Sequence, residues 1–492
     1  MKKPNYLKGL RVVLAILIFV PILLFFVDFA DVLPDNLHTL LHLQIIPAIL
    51  GGMAGLVVFQ FVLALLFGRI YCSVICPAGV LQDIINRVFC IGKKKKKGVR
   101  RFSYHKPMNI LRYSILGLTF VLAVFGMIEL CTLLDPYSNF GRIANNLFRP
   151  VVMWVNNLLA DGLARMDNYT LYHVTISNVT VFGVISALVA LLVFILMVVF
   201  RGRLFCNTLC PVGTLLSLIS RYSFFRISFD KEACTHCGNC EPSFKKEAET
   251  ARAQTDVIQQ ATAPNSRRTF LSAGATVAVS LPIVSTIAQG MEKGHGKGQH
   301  GQGKHGNKWP PIVPPGAISL ERFKDVCTGC QICVTQCPSH VLRPTGLEYG
   351  IDYMLKPRIA YIDSYCNYEC TVCSEVCPTH AIKPLTKEEK ATTQVGIATF
   401  FINRCIVKTE GTDCGACSEH CPTQAVHMVP YESTLTIPQV NPDLCIGCGG
   451  CESICPVRPM RAIIIKANEV HKFVEKPKEE EVKKVEIDDF GF

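Results

Sequence analysis

The sequence has no C-x-x-C-H motif and no nucleotide-binding fingerprint set between a strand and a helix. Covalently attached haem and a Rossmann-type cofactor are therefore excluded. Charge is sparse: Asp, Glu, Lys and Arg make up 18% of 492 residues, against about a quarter in ordinary soluble domains. Tryptophan is nearly absent, with two residues. Between residues 31 and 44 there is no Lys or Arg at all. The 25 cysteines are an odd number, which excludes complete disulfide pairing within one chain. The formal net charge of +12 raises the question of nucleic acid. Much of the basic excess flanks apolar runs, where membrane topology places it, so no nucleic-acid partner is expected.

What is abundant is apolar sequence in long runs. A membrane span needs about 20 apolar residues. Stretches 12–30, 45–67, 113–130, 179–200 and 270–288 meet that length, the fifth with more Ala, Ser and Thr. Lys and Arg cluster at Lys2, Lys3, Lys8 and Arg11, at Lys93–Lys97, and at Arg201, Arg203, Arg221 and Arg226. The positive-inside rule puts those segments in the cytoplasm and everything after Ala288 outside. Residues 68–81 and 202–215 repeat one motif, Gly-Arg-x-x-Cys-x3-Cys-Pro-x-Gly, each after the second helix of a pair. The predicted membrane part is thus two helix pairs related by a pseudo-twofold along the membrane normal.

The cysteines fall into groups. Cys327, Cys330, Cys333 and Cys337 have C-x2-C-x2-C-x3-C-P spacing, closed by Pro338. Cys366, Cys370, Cys373 and Cys377 have one extra residue in the first gap. Cys405, Cys414, Cys417 and Cys421 have a long first gap, and Cys445, Cys448, Cys451 and Cys455 return to regular spacing. Three close cysteines wrap a tight turn on one 4Fe–4S cluster, and the fourth, before proline, reaches a partner cluster. Zinc sites need isolated sets of four and leave the prolines unexplained. Sixteen ligands make four clusters; spacing leaves adjacent and nested pairing both open. Short apolar runs around the groups, such as 398–402 and 462–465, predict a repeated ferredoxin-like strand–loop–helix–strand unit.

On the inner side are two C-x3-C-P sites, Cys72/Cys76 and Cys206/Cys210. Cys234, Cys237 and Cys240 form a motif whose fourth position is Phe244. Adding Cys90, which lies on the same side, gives eight candidate ligands for one or two more clusters and leaves Cys131 as the odd thiol. A cluster-free redox or metal-transfer pair is the competing reading of the C-x3-C-P thiols.

The expected organisation is a four-helix membrane domain (1–222), a cytoplasmic truncated ferredoxin motif (223–265), a signal and fifth span (266–288), a Gly/His/Lys/Pro linker (289–316), a four-cluster domain (317–470) and a charged tail (471–492). Ser266-Arg-Arg-Thr-Phe-Leu271 opens the fifth span as a twin-arginine signal, which exports folded, cofactor-loaded domains. His295, His300 and His305 lie in the linker, which reads as a solvated spacer. The fold class is therefore an α-helical membrane bundle plus an α+β ferredoxin-like polyferredoxin domain.

The first part, with four spans, two Gly-Arg-x-x-Cys-x3-Cys-Pro sites and an inner ferredoxin motif, resembles NapH-like membrane ferredoxins. The part from Ser266, with a twin-arginine signal and four cysteine groups, resembles NapG-like polyferredoxins. The resemblance implies a quinol-oxidising unit in the bacterial cytoplasmic membrane. Its partners would be the quinone pool and a periplasmic redox protein or reductase. The truncated inner motif departs from the NapH pattern. The membrane half is also similar to ferredoxins that assist copper-oxidase assembly and nitrous-oxide reductase maintenance, and a metalloenzyme assembly or repair reductase, for example one that reduces copper, is the alternative. Asp28, Asp31, His38 and His42 lie near the outer ends of the first two spans and are candidate proton acceptors, or ordinary interface residues. One difficulty follows. Inner thiols and outer groups would be separated by a hydrocarbon core of roughly 30 Å, so either quinone crosses or the inner sites lie deeper than the topology implies.

Overall fold

The computed structural model describes residues 6–30, 33–91, 108–125, 127–176, 179–225 and 309–475. The three cysteines Cys234, Cys237 and Cys240, the twin-arginine stretch, the fifth span and the His-bearing linker positions lie outside the described residues, as does the end of the tail. The chain divides into two compact units. The first takes residues 1–299, 321–358 and 372–383; the second takes 300–320, 359–371 and 384–492.

The first unit is helical. Helix α1 (Tyr6–Val27) is followed by a 3-10 turn (Asp35–Leu43), α2 (Ile45–Leu50), α3 (Ala54–Phe67), α4 (Tyr71–Val74) and α5 (Pro77–Ile91). After these come α6 (Asn109–Val124), α7 (Ile128–Leu134), α8 (Pro136–Ile143) and α9 (Arg149–Ala164). Helices α10 (Val181–Arg201), α11 (Leu204–Thr208) and α12 (Pro211–Ile219) complete the run.

Among the described residues, two helices, Gly9–Val27 and Val181–Phe200, are long and apolar enough to cross a membrane. The second and third predicted spans are not single helices. Stretch 45–67 breaks between α2 and α3 at Gly51-Gly52, where Gly52 has φ +71°. An L-residue meets a steric penalty in that region, so the glycine pair ends the helix. Stretch 113–130 divides between α6 and α7. Hydropathy averages over both breaks, which is why they read as continuous spans.

The core of this unit is aromatic. Ile22, Phe25, Phe26, Tyr137, Phe140 and Phe194 are essentially fully buried. Phe26 meets Phe140 edge-on at 5.8 Å and Tyr137 at 6.0 Å, an arrangement aromatic quadrupoles favour. Helix α8 begins with the Asp135 carboxylate accepting the backbone N–H groups of Tyr137 (3.2 Å) and Ser138 (3.0 Å) and the Ser138 hydroxyl. Pro136 follows at the first helical position, where its missing N–H costs nothing. Between α8 and α9 one turn, Ala144–Phe148, is π-helical. Pro150 cannot donate to the carbonyl of Asn146, which forces the ladder out of register there.

The second unit carries the larger sheets. The short strands β1 (Leu342–Pro344) and β2 (Pro357–Ile359) fall in the first unit, save Ile359. β3 (Thr393–Phe400) pairs antiparallel with β6 (Ile463–Phe473), from Thr393↔Phe473 to Phe400↔Ile463, with a bulge between Gln394 and Gly396. β4 (Val426–Pro430) pairs antiparallel with β5 (Thr436–Val440). Runs 398–400 and 463–465 are strands as predicted; Ala381-Ile382 is a bend, outside any ladder.

Candidate thiol sites and their surroundings

The C-x3-C-P repeat folds twice into the same device. A glycine in the left half of backbone space ends the preceding helix, Gly68 at φ +70° and Gly202 at φ +71°. One short helix then carries Cys72 or Cys206, and Cys76-Pro77 or Cys210-Pro211 opens the next helix. The four thiols are buried and lie together, Cys76 and Cys210 each within electrostatic reach of the thiols of the other copy. The two copies hold each other crosswise. Arg69 donates to the Cys206 carbonyl (3.1 Å) and to Asn207 Oδ1 (2.8 Å). Arg203 donates to the Cys72 carbonyl (3.5 Å) and forms a bidentate pair with Asp83, 2.7 Å from Nε. A Cβ on Gly79 would overlap the Cys72 carbonyl oxygen, and one on Gly213 would overlap that of Cys206. Donors reach sulfur as well: Gly213 N–H to Cys210 Sγ and Gln82 Nε2 to Cys206 Sγ, both 3.3 Å. Cys90 lies near the end of α5, with its side chain outside the described residues. Cys131, on α7, donates to the Thr119 carbonyl at 3.4 Å, away from the four.

The C-terminal groups resolve the pairing that spacing left open. A cavity of about 300 Å³ in the first unit is lined by Cys327, Cys330, Cys333 and Cys377. A second, of about 360 Å³ in the second unit, is lined by Cys405, Cys414, Cys417 and Cys455. Cys421 lies with Cys445, Cys448 and Cys451. In each of these three sites three cysteines come from one group and the fourth from its sequence neighbour, the adjacent rather than the nested arrangement. Of the remaining four, Cys337 and Cys373 belong to the first unit, and Cys366 and Cys370 to the second.

These cavities suit a polynuclear sulfide cluster. Among the described residues no three Cys, His, Asp or Glu side chains converge tightly enough for a single metal ion, whereas four sulfurs line each cavity. Backbone donors point at the sulfurs: Ile382 N–H to Cys377 Sγ and Ala398 N–H to Cys445 Sγ, both 3.5 Å. Thr379 Oγ1 lies 3.6 Å from Cys377 Sγ, and Thr423 Oγ1 lies 3.7 Å from Cys421 Sγ, the same Cys-Pro-Thr geometry used twice. Such donors stabilise thiolate and sulfide charge. Burial pushes the Cys327 thiol up to about 11 and the Cys417 and Cys448 thiols up to about 12. Without iron these thiols hold their protons at neutral pH, so iron binding must expel them.

Around the first cavity stands a polar ring that the cysteine spacing did not announce. Arg142, fully buried, donates to the carbonyls of Thr328 and Gly329, both at 3.3 Å. Asn145 and Asn146, on the π turn, both donate to Gln331 Oε1, at 2.9 and 2.8 Å. Gln331 itself has φ +66°. The signal was present as a polar run, 135–146, inside an apolar half. Of the candidate proton acceptors, Asp28 accepts the N–H groups of Ala30 and Leu33, and the His42 ring meets that of His380 at 5.6 Å. Asp31 and the His38 side chain lie outside the described residues.

The 4Fe-4S binding domain family matches residues 48–98 and 184–232, the two halves of the repeat. The 4Fe-4S dicluster domain family matches residues 326–381 and 412–458, one match for each adjacent pair of groups. The chain carries ferredoxin-type 4Fe–4S domains. It is 25% identical over 190 residues to the methylamine utilization ferredoxin-type protein MauN of Methylobacillus flagellatus, covering 38% of this chain and 52% of that protein. It is 25% identical over 253 residues to the putative electron transport protein YccM of Escherichia coli, covering 50% of this chain and 58% of that protein. An uncharacterized protein of Methanocaldococcus jannaschii, MJ0750, is 23% identical over 196 residues, 39% of this chain and 64% of that one. The chain thus spans between half and two thirds of the length of these relatives. No solved structure matches it.

Proposed function

We propose that the protein is a membrane-anchored iron–sulfur electron carrier that takes electrons from membrane quinol and delivers them singly to an acceptor on the outer face. The observation that carries this reading is the set of buried four-cysteine sites, two of them cavities whose ligands cross between adjacent groups. A 4Fe–4S cluster, once bound, supplies one-electron storage with little structural change. The protein's part is to exclude water from the sulfurs and to aim backbone and threonine donors at them. The names borne by MauN and YccM accord with electron transport. Helices α1 and α10 leave large apolar side chains outward, among them Ile16, Leu17, Val181 and Leu188, as lipid contact requires.

Four clusters in the C-terminal groups, one or two more in the inner cysteines, the twin-arginine export and the periplasmic partner belong to the same proposal. The test is purification in detergent, anaerobic addition of a quinol analogue, and absorbance near the visible cluster bands. Bleaching at a rate that depends on quinol supports the reading. A spectrum unchanged by quinol but bleached by dithionite would leave a carrier with another donor.

A further inference from the structure

Two thiol sites in the first unit lie beside one short helix. Helix α5 starts at Pro77, directly after Cys76, and packs against α8. All eight residues of α8 are buried. Gly141, on α8, sits so close to the Cys330 backbone that a Cβ would overlap the Cys330 carbonyl oxygen and crowd the Phe26 ring. The next residue, Arg142, holds the carbonyls of Thr328 and Gly329. At the start of α8 the buried Asp135 carboxylate is within electrostatic reach of both Cys76 and Cys330. The Tyr71 and Tyr137 side chains, both buried, are within electrostatic reach of it as well. A helix with its side chains is about 10–12 Å across, against the roughly 30 Å of hydrocarbon that the topology placed between inner and outer sites.

We propose that α8 is an electron bridge, and that the site of Cys327, Cys330, Cys333 and Cys377 receives electrons directly from the site of Cys72, Cys76, Cys206 and Cys210. The inference rests on the reading that both sets of thiols hold clusters. In each transfer one electron leaves the membrane site and one arrives at the Cys327 site. No bond forms and no proton crosses α8. One quinol supplies two such electrons in succession and gives up two protons on its own side. Quinone then has no need to carry charge across the bilayer to reach the outer groups. Gly141 sets how near the Cys330 loop comes, and Arg142, Asn145 and Asn146 fix that loop in place.

The experiment uses the full chain, purified in detergent and reduced with dithionite. Electron paramagnetic resonance is recorded on wild type, on Cys330→Ala to identify the signal of the Cys327 site, and on the double variant Cys76→Ser/Cys210→Ser. Two clusters separated by one helix relax each other's spins. The double variant should lose about four iron per chain, and the Cys327-site signal should then relax severalfold more slowly. Iron lower by about four with relaxation unchanged would overturn the bridge and leave the cluster reading standing. Iron unchanged would remove the cluster from the membrane site and the bridge with it. Should the double variant fail to accumulate, a stepwise redox titration of wild type decides. A spin-coupled signal that grows only when both sites are reduced supports the bridge, and its absence overturns it.

Discussion

The helical half and the C-terminal part both gather four thiols, by opposite means. At the Cys405 site three ligands come from one loop and only Cys455 is remote. In the helical half the thiols come two and two, from copies more than a hundred residues apart, and each copy's arginine holds the other's backbone. A loop carrying three ligands is arranged locally before the domain is complete. A two-and-two site exists only once both helix pairs have packed. The first kind tolerates local damage; the second has no partial form.

The largest expected difference between the two is steric. Gly79→Ala or Gly213→Ala puts a methyl into a backbone carbonyl oxygen. Either should cost more than about 3 kcal/mol and empty the whole membrane site. In the C-terminal part, Gly415→Ala meets only the tip of the Glu419 side chain, at 3.4 Å, and should stay within about 0.5 kcal/mol of wild type. Iron content and thermal unfolding of the three variants check this; equal losses would erase the distinction.

Next comes ligand removal. Cys330→Ala should lower iron by about four per chain and leave the other C-terminal sites loaded. Loss of all visible absorbance would mean that the C-terminal sites are as interdependent as the membrane one.

A smaller effect is pH-dependent. Burial pushes the Glu452 carboxyl up to about 7, against the pull of the Ile465 N–H at 2.7 Å. Because the folded value is raised, the protonated form favours folding. That contribution is complete below about 4.5 and fades as pH rises through about 7. The second unit should lose on the order of 2–3 kcal/mol over that window. Glu452→Gln keeps an acceptor for Ile465 and should flatten the dependence, read by denaturant unfolding at several pH values. A wild-type curve already flat between pH 4.5 and 7 would contradict the shift.

The smallest concerns the asymmetry of the crosswise clamp. Arg203 pairs with Asp83, while Arg69 pairs with the neutral Asn207. The Arg203–Asp83 pair is about a quarter to a third exposed, so Asp83→Asn should cost only about 0.5–1 kcal/mol. A much larger loss would show that the charge, rather than the carbonyl contact, joins the two copies.

How much of this was legible in the chain follows the same division. The C-terminal groups announce themselves because their ligands sit within a few residues of one another, and Pro closes each turn. Which group lends its fourth cysteine to which is a tertiary fact, and no spacing encodes it. The repeat at 68–81 and 202–215 was visible as a pair of copies. The mutual grip of Arg69 and Arg203 was not, since arginine after glycine at a helix end reads as an interfacial charge. The helix breaks at Gly51-Gly52 and near Phe125 vanish in a hydropathy window. The polar ring on α8 and the π turn lie between the predicted spans 113–130 and 179–200, in a stretch without a cysteine motif. Its residues matter through what they touch at Thr328, Gly329 and Gln331, nearly two hundred positions later.

The reciprocal bonds from Arg69 to Cys206 and from Arg203 to Cys72 have a consequence for ancestry. When a residue on one copy binds the second copy and its counterpart returns the same contact, the interface is isologous, the kind two identical subunits make about a twofold axis. The helical half therefore has the architecture of a homodimer written into one chain, with its four thiols shared between the copies. Duplication and fusion free such a pair from symmetry. The pair has diverged in both directions: Tyr71 against Phe205 and Gln82 against Leu216 place the polar member in the first copy, Val74 against Thr208 and Val80 against Thr214 in the second. A chain bearing one such repeat would complete its site only by meeting a twin.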